Sequence, residues 1–289
     1  MSEATHVSGT RTNILITGCS SGIGFCAAKL LHQRGYNVVA TVRKAHDALP
    51  LQQLGIMTTV LELTDSTSIN DAVTFTLDHF NGQIDALFNN AAYGQPGAVE
   101  DLSRQVLQQQ FASNVFGTQE LTNLVIAQMR KQGHGRIIYN SSVLGLVSMA
   151  YRGAYNASKY AIEGLADTLR LELYQTDIHI SLIEPGPIDS KFRANAFAKY
   201  QQNIDKTKSV HYETYKVMEQ RLTKQGPAAP FTLPPEAVVN KLIHALESKR
   251  PKIRYYVTFP TYLFATLKRL LPHRCLDWVL IKISAAENK

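Results

Sequence analysis

Short apolar runs alternate with longer stretches whose apolar positions recur at helical spacing. Asn13 to Thr17 reads as a buried strand, and Ile23 to Gly35 as the helix behind it. Tyr36 to Val42 and Met57 to Leu63 give a second and a third strand. Ser66 to Asn81 is helical, with Ile69, Ala72, Val73, Thr76 and Leu77 on one face. Ile84 to Asn89 is a fourth strand. Arg136 to Asn140 and His179 to Glu184, each preceded by a long helical segment, supply two more. Strands that are apolar almost throughout, separated by helices, imply a parallel sheet covered on both faces. The expected fold is α/β, a doubly wound parallel sheet. Residues that follow the carboxyl ends of its strands, near the reversal in strand order, should carry function.

No Pro-, Gly- and Ser-rich linker interrupts this pattern, so 289 residues read as a single domain with extensions. Residues 1–12 form a polar tail and 13–254 the α/β domain. Within it, 190–235 reads as a helical lid over the substrate, spotted with Tyr200, Tyr212, Tyr215 and Phe231 and ending in the turn from Pro227 to Pro235. Residues 255–289 form a basic, amphipathic extension whose apolar side holds Tyr262, Leu263, Leu267, Leu270 and Leu271, with Lys268 and Arg269 interposed. It is expected to dock on its own domain or a second subunit, with peripheral membrane contact as the alternative.

The formal net charge of +7 favours anionic partners without choosing among them. No aromatic-basic motif or recognition-helix pattern points to nucleic acid. Three cysteines, Cys19, Cys26 and Cys275, show no paired spacing and argue against a disulfide framework or a zinc site. The first twelve residues lack the apolar core of a signal peptide, and no apolar run is long enough to cross a bilayer, so a soluble, cytoplasmic chain is expected.

The first strand runs into Thr17-Gly18-Cys19-Ser20-Ser21-Gly22-Ile23-Gly24, where a helix begins. Gly18 allows a tight turn, Gly22 a close approach of backbone to pyrophosphate, and Gly24 close helix-to-strand packing. The helix start then turns its N–H groups and dipole toward the phosphate. At a strand–helix junction opening a βαβ unit, this pattern points to a dinucleotide. Cys19 reads as a small filler. The second strand ends Ala40-Thr41-Val42-Arg43-Lys44, without the acid that would bind adenosine ribose hydroxyls. Arg43 can fork onto a 2′-phosphate with Lys44 as a second charge, so NADP(H) is the expected cofactor.

Tyr155 and Lys159 stand four apart in a segment that reads as helical to Tyr174, so both side chains share one face. A tyrosine normally titrates near pH ~10. A neighbouring ammonium and an oxidised nicotinamide would lower that value. Ser141 and Ser142 follow the strand ending at Asn140, where a hydroxyl can donate to a carbonyl oxygen beside the tyrosine or cap a turn. Asn114 is a polar residue in a largely apolar helical stretch, either a satisfied core amide or part of a water relay.

Taken in order, Thr17-Gly18-x-x-x-Gly22-x-Gly24, Asn89-Asn90-Ala91, Asn114, Ser142, Tyr155-x-x-x-Lys159 and Pro185-Gly186 resemble the short-chain dehydrogenase/reductase family, collinearly from about Asn13 to Ser190. The branch most similar contains steroid 17β-dehydrogenases, retinol dehydrogenases and bacterial NADP-dependent aldehyde reductases. The resemblance implies a Rossmann-type fold and an oligomer, a homodimer or homotetramer. It implies that Tyr155 is the general acid/base, that Lys159 holds the nicotinamide ribose and tunes the tyrosine, that Ser142 orients the carbonyl, and that Asn114 links Lys159 to solvent through water. Glu62 or Leu63 should meet the adenine, with Asn90 and Ala91 at the ribose. Pro185, Gly186, Ile188 and Ser190 should hold the carboxamide end, and Ser20, Ser21 and Ile23 belong to the phosphate loop.

Two positions depart from the family's pattern. Ala92 stands where a glycine is usual after Asn-Asn-Ala, and Glu62 where an aspartate is usual. The expected reaction is reduction of a lipophilic aldehyde or ketone, in a cleft lined by Ser142, Leu144, Met149, Tyr155 and Phe192, with Tyr93, Val143 and Pro187 nearby. The alternatives are oxidation of a steroid- or retinol-like alcohol and a non-catalytic NADP-binding sensor or scaffold.

Overall fold

A computed structural model describes residues 12–227 and 229–287. Apart from Thr12, the polar tail assigned to residues 1–12 lies outside the described residues. Among these, seven strands form one parallel sheet in the order β3-β2-β1-β4-β5-β6-β7. They are β1 (Asn13–Ile16), β2 (Asn37–Val42), β3 (Met57–Val60), β4 (Ala86–Asn89), β5 (His134–Asn140), β6 (Asp177–Glu184) and β7 (Arg254–Tyr256). Strand order reverses between β1 and β4, which are directly paired, so a crevice opens beyond their carboxyl ends.

Both faces of the sheet are covered, which is why its strands read as continuous apolar runs rather than alternating ones. Ile14, Ile16, Ala40, Phe88 and Ile183 point to one side, toward α1 (Gly22–Gln33), the short α2 (Leu49–Gln52) and, much later in the chain, α9 (Glu236–Glu247). Leu15, Val39, Leu87, Ile137 and Leu182 point to the other. There they meet α3 (Ser66–His79), α5 (Thr118–Gln132) and α6 (Gly153–Glu172). Each large aliphatic chain buried in this way contributes roughly 1.5–3 kcal/mol. The face assigned to α3 buries Ile69, Ala72, Val73 and Thr76.

Several boundaries differ from the sequence reading. β3 stops at Val60 rather than Leu63, because it is the edge strand and pairs only with β2; Met57 and Val60 are exposed. α3 ends at His79 and Asn81 takes a left-handed φ of 52°. α6 ends at Glu172. The boundary drawn at 255 falls inside β7, whose Tyr255 belongs to the main core.

Between α4 (Arg104–Phe111) and α5, residues Ala112–Gly117 form a π-helical stretch. The widened turn brings Gly117 against the Leu63 carbonyl, where a Cβ would collide. Such bulges turn one side chain out of helical register and are frequent at functional sites. Asn114 lies within this stretch and is buried.

Residues 190–235 fold into α7 (Phe192–Asn203) and α8 (Tyr212–Thr223). Tyr200, Tyr215, Met218 and Leu222 bury against Ala98, Leu102, Val106 and Ala154. The Tyr215 hydroxyl donates to Asp101 and accepts from Ala98 N at 2.9 Å. Beyond β7, α10 (Phe259–Leu270) and α11 (His273–Glu287) pack Phe264, Leu267, Leu276, Val279, Leu280 and Ile283 onto Val143, Leu144, Val147 and Met149. No described helix is long and apolar enough to cross a membrane.

Candidate active site

At the end of β1 the chain turns through Gly18, with φ of +73°, and enters α1. A Cβ on Gly24 would strike the Gly18 carbonyl oxygen, so only glycine lets the helix start this close to the strand. The cap residue Ser21 is extended, makes no side-chain cap hydrogen bond, and no acid follows in the first turn. The first N–H groups of α1 are thereby left for an anion, and the loop fits a dinucleotide pyrophosphate. Cys19 is fully buried, donates its thiol to Ile16 O at 3.3 Å, and burial pushes its pKa far up; it is an inert filler.

Thr17, quoted only as part of the motif, ties the loops together. Its hydroxyl oxygen accepts from Asn90 N and Ala91 N, both at 2.9 Å. Asn90 is committed likewise: its Nδ2 donates to Thr17 O (2.9 Å) and Gly18 O (3.2 Å), and its Oδ1 accepts from Asn140 Nδ2 at 2.9 Å. The side chain expected at a ribose is thus a brace joining the ends of β1, β4 and β5. A Cβ on Gly18 would lie 2.8 Å from Ala91 Cα, so Ala91 is the floor against which the phosphate loop is pressed.

Arg43 and Lys44 follow β2 and are exposed at the crevice end of the sheet. The Glu62 carboxylate accepts from the Thr64 N–H (3.2 Å) and hydroxyl (3.0 Å), while Leu63 is buried in the core. Pro185 O accepts from Val143 N at 2.8 Å, Gly186 is pressed against Thr258, and Ile188 packs on the core. Ser190 lies over Gly22, with its Cβ 3.0 Å from where a Gly22 Cβ would stand.

Ser142, Tyr155 and Lys159 converge after β5. Ser142 is buried and its Oγ accepts from Leu144 N at 3.1 Å, which leaves its own hydrogen free to donate. Lys159 is buried, donates to Asn140 O at 2.7 Å, and lies with Nζ 5.6 Å from the centre of the Tyr155 ring. Phe192, the first residue of α7, lies edge-on to Tyr155 at 5.3 Å, and a Cβ on Gly94 would meet it at 2.9 Å. Met149 and Leu144 are buried in the loop after β5, beneath α10 and α11.

Burial dominates the electrostatics of the site in the protein without a nucleotide. Burial pushes the Tyr155 phenol well above the ordinary tyrosine range, and the Ser142 hydroxyl only partly opposes it. The Lys159 ammonium does not reverse this. Its own pKa falls from 10.5 to about 8, chiefly through burial, with Glu163 pulling the other way. In the protein alone the phenol therefore stays protonated at neutral pH.

Asn114 is engaged on every side the structure describes. Its Oδ1 accepts from Tyr93 N (3.1 Å), and its Nδ2 donates to Tyr93 O (2.9 Å) and Ser158 Oγ (3.1 Å). These bonds fix the loop after β4 to α6. Two further residues, Asn140 and Glu163, bear on Lys159 and went unnoticed in the sequence. Asn140 acts through its backbone carbonyl, which leaves no sequence signal. Glu163 stands four after Lys159, a spacing that could have been read.

A family model described as short chain dehydrogenase matches residues 12–201. An uncharacterized oxidoreductase of Escherichia coli K12, YbbO, is 40% identical over 268 residues, covering 93% of each chain. Human retinol dehydrogenase 8 is 32% identical over 269 residues, covering 88% of this chain and 84% of its own. A short chain dehydrogenase/reductase of Burkholderia phymatum, solved in complex with NAD, superimposes with a TM-score of 0.75 at 22% identity, over 93% of this chain and 95% of its own.

Proposed function

The chain belongs to the short-chain dehydrogenase family and is thus an oxidoreductase that binds a nicotinamide dinucleotide, and from that premise we propose that it is an NADP(H)-dependent reductase of lipophilic aldehydes or ketones. The observation that carries this reading is the convergence of Ser142, Tyr155 and Lys159 beside the glycine loop.

The nicotinamide would supply the hydride. Ser142 donates its free hydrogen to the carbonyl oxygen and fixes its direction. Tyr155, protonated in the protein alone, carries the proton that the alkoxide would take as charge develops there, and an oxidised nicotinamide would draw its raised pKa back down. Lys159, held by the Asn140 carbonyl, places a cation behind the resulting phenolate and offers a donor to the ribose. Phe192 and the lid exclude water from this exchange. Alcohol oxidation uses the same groups in reverse, but must begin from a deprotonated phenol and is favoured only as pH rises.

Arg43 and Lys44, with no carboxylate at the end of β2, support NADP(H) over NAD(H). Leu144, Met149, Phe192 and the apolar α10 support a lipophilic substrate, as does the likeness to retinol dehydrogenase 8. A panel of aldehydes and ketones, assayed with NADPH and with NADH, tests the reading. Turnover with NADPH that falls by about 10²–10⁴ in Tyr155→Phe, with NADPH binding retained, is the expected result. Unchanged turnover in that variant refutes the mechanism.

A bilayer-surface role for the C-terminal helices has specific support. The outer sides of α10 and α11 expose Phe259, Tyr262, Leu263, Leu270, Trp278 and Ile281 among Lys268, Arg269, Arg274 and Lys282. Co-sedimentation with phosphatidylserine vesicles but not phosphatidylcholine ones would bear this out, and no sedimentation with either would end it. A cytoplasmic homodimer or homotetramer belongs to the same reading, and analytical ultracentrifugation tests the assembly.

A further inference from the structure

Behind the active site lies a buried charge cluster that the proposed reaction does not use directly. Glu184, the last residue of β6, is fully buried, and Glu163 of α6 nearly so. A single guanidinium draws their carboxyls together. Arg254 of β7 faces both. Its Nε lies 3.1 Å from Glu184 Oε1, and its Nη2 donates to Glu163 Oε2 at 2.9 Å and to Asp167 Oδ2 at 2.7 Å. One guanidinium thus meets three carboxyls.

Two buried negative charges beside a third, partly exposed one around a single cation would be strongly unfavourable, since each desolvated ion costs several kcal/mol unless it is fully paired. Asp167 is the outermost, and Arg254 and Arg170 hold its pKa below the usual range. Glu184 is placed differently. Despite complete burial, neither of its oxygens accepts a well-aligned hydrogen bond among the described residues, and the cation beside it, Arg254, is shared with Glu163 and Asp167. A carboxylate so placed is improbable on energetic grounds, whereas a protonated carboxyl would turn one oxygen into a donor toward Glu163. Burial and the neighbouring Glu163 push the Glu184 carboxyl up to about 9.

Glu163 is the better hydrogen-bonded partner: burial raises its pKa too, but Ser141 and Arg254 oppose that rise. Its Oε1 accepts from the Ser141 hydroxyl and its Oε2 from Arg254. One helical turn earlier stands Lys159, where Glu163 opposes the burial that lowers the ammonium's pKa. The other charged or titratable groups around the cluster are Tyr155 on α6, Tyr256 on β7 and Arg269 on α10. The loop after β5 roofs it. A Cβ on Gly145 would stand 2.9 Å from Ser141 Oγ and 3.0 Å from Glu163 Cγ.

We propose that Glu184 holds the single proton of the Glu163–Glu184 pair, and that the Glu163 carboxylate left ionised is the counter-ion that keeps Lys159 charged. Both are positioning residues, acting through Lys159 rather than on the substrate. The assignment rests on the proposed reductase chemistry only for its kinetic consequence; the protonation itself is independent of it.

Removing the Glu163 charge lowers the pKa of Lys159, so the alkaline limb of carbonyl reduction moves to lower pH. Glu163→Gln should shift that limb of kcat/KM down by about one pH unit, whereas Glu163→Asp restores most of it. Glu184→Gln, which mimics a protonated carboxyl, should leave the limb in place. Infrared difference spectra between the wild-type protein and Glu184→Gln at pH 7 should show the carbonyl stretch of a protonated carboxylic acid, lost in the variant. Ser141→Ala, a milder change that weakens the Glu163 carboxylate, should move the limb in the same direction by less. A purely structural role would lower thermal stability in all four without moving the limb. The proposal is overturned if wild-type protein lacks the infrared band, if Glu184→Gln shifts the limb as far as Glu163→Gln, or if folded, NADPH-binding Glu163→Gln shows no shift. Should no carbonyl be turned over at all, the reductase reading fails while the infrared result still decides where the proton resides.

Discussion

Replacing Lys159 by methionine should make the protein more stable at pH 7 while abolishing reduction. The side chain is buried, and folding it as an ammonium depresses its pKa from 10.5 to about 8. Such a drop corresponds to about 3 kcal/mol of folding free energy that the charged form gives up. Methionine is close in length, carries no charge to desolvate, and would lie among the walls that now hold the lysine stem. Against this stands the Asn140 carbonyl, which loses its 2.7 Å donor, at a cost of roughly 1–3 kcal/mol if water does not replace it. The expected net gain is therefore about 1 kcal/mol, present below pH 8. Between pH 8 and 10.5 the native lysine sheds its proton while the unfolded one keeps it. Wild-type stability then rises with pH relative to the variant, and the variant's advantage disappears. Urea unfolding of both proteins at pH 7 and pH 10, compared as a difference, measures this. A variant less stable than wild type at pH 7, or a gap independent of pH, would refute the reasoning that burial dominates at Lys159.

Arg43→Ala should weaken NADPH binding by roughly 10–100-fold, the worth of a charge-assisted contact, and leave NADH binding unchanged, as read by nucleotide fluorescence titration. Gly24→Ala places a Cβ on the Gly18 carbonyl oxygen, so it should lower thermal stability and remove dinucleotide binding together. Retention of both would contradict the packing described. Glu287→Gln removes the carboxylate that meets Arg152 at the start of α6 and Arg221 on α8. Its Arg221 partner, already lowered to about 10 by burial, would be left with less compensation. Limited proteolysis should then cut between 203 and 230 faster than in wild type.

How far the site could be read in advance varied with the kind of interaction. Glycines announce themselves because their reason for being present is steric and local: Gly18 needs a left-handed φ and Gly24 cannot carry a Cβ. The Tyr155–Lys159 pair was legible because helical spacing alone puts both on one face. Asn90 and Asn114 carried a functional expectation, and the structure gives their side chains structural partners in loops distant along the chain. Asn140 contributes through a carbonyl that every residue possesses, so nothing in its identity reveals the role. The buried pair of Glu163 and Glu184 was invisible for another reason, since their meeting requires α6 to lie across β6 at a particular height.

The alternation of apolar strands and amphipathic helices was enough to specify a parallel sheet clothed on both sides, because period and hydrophobicity are properties of neighbouring residues. Strand order, the seventh strand at Arg254–Tyr256 and the seating of α10 and α11 on the loop after β5 were decided by packing alone. So was the burial that raises the pKa of the Tyr155 phenol. Desolvation depends on everything that surrounds a group, and what surrounds it exists only once the chain has folded.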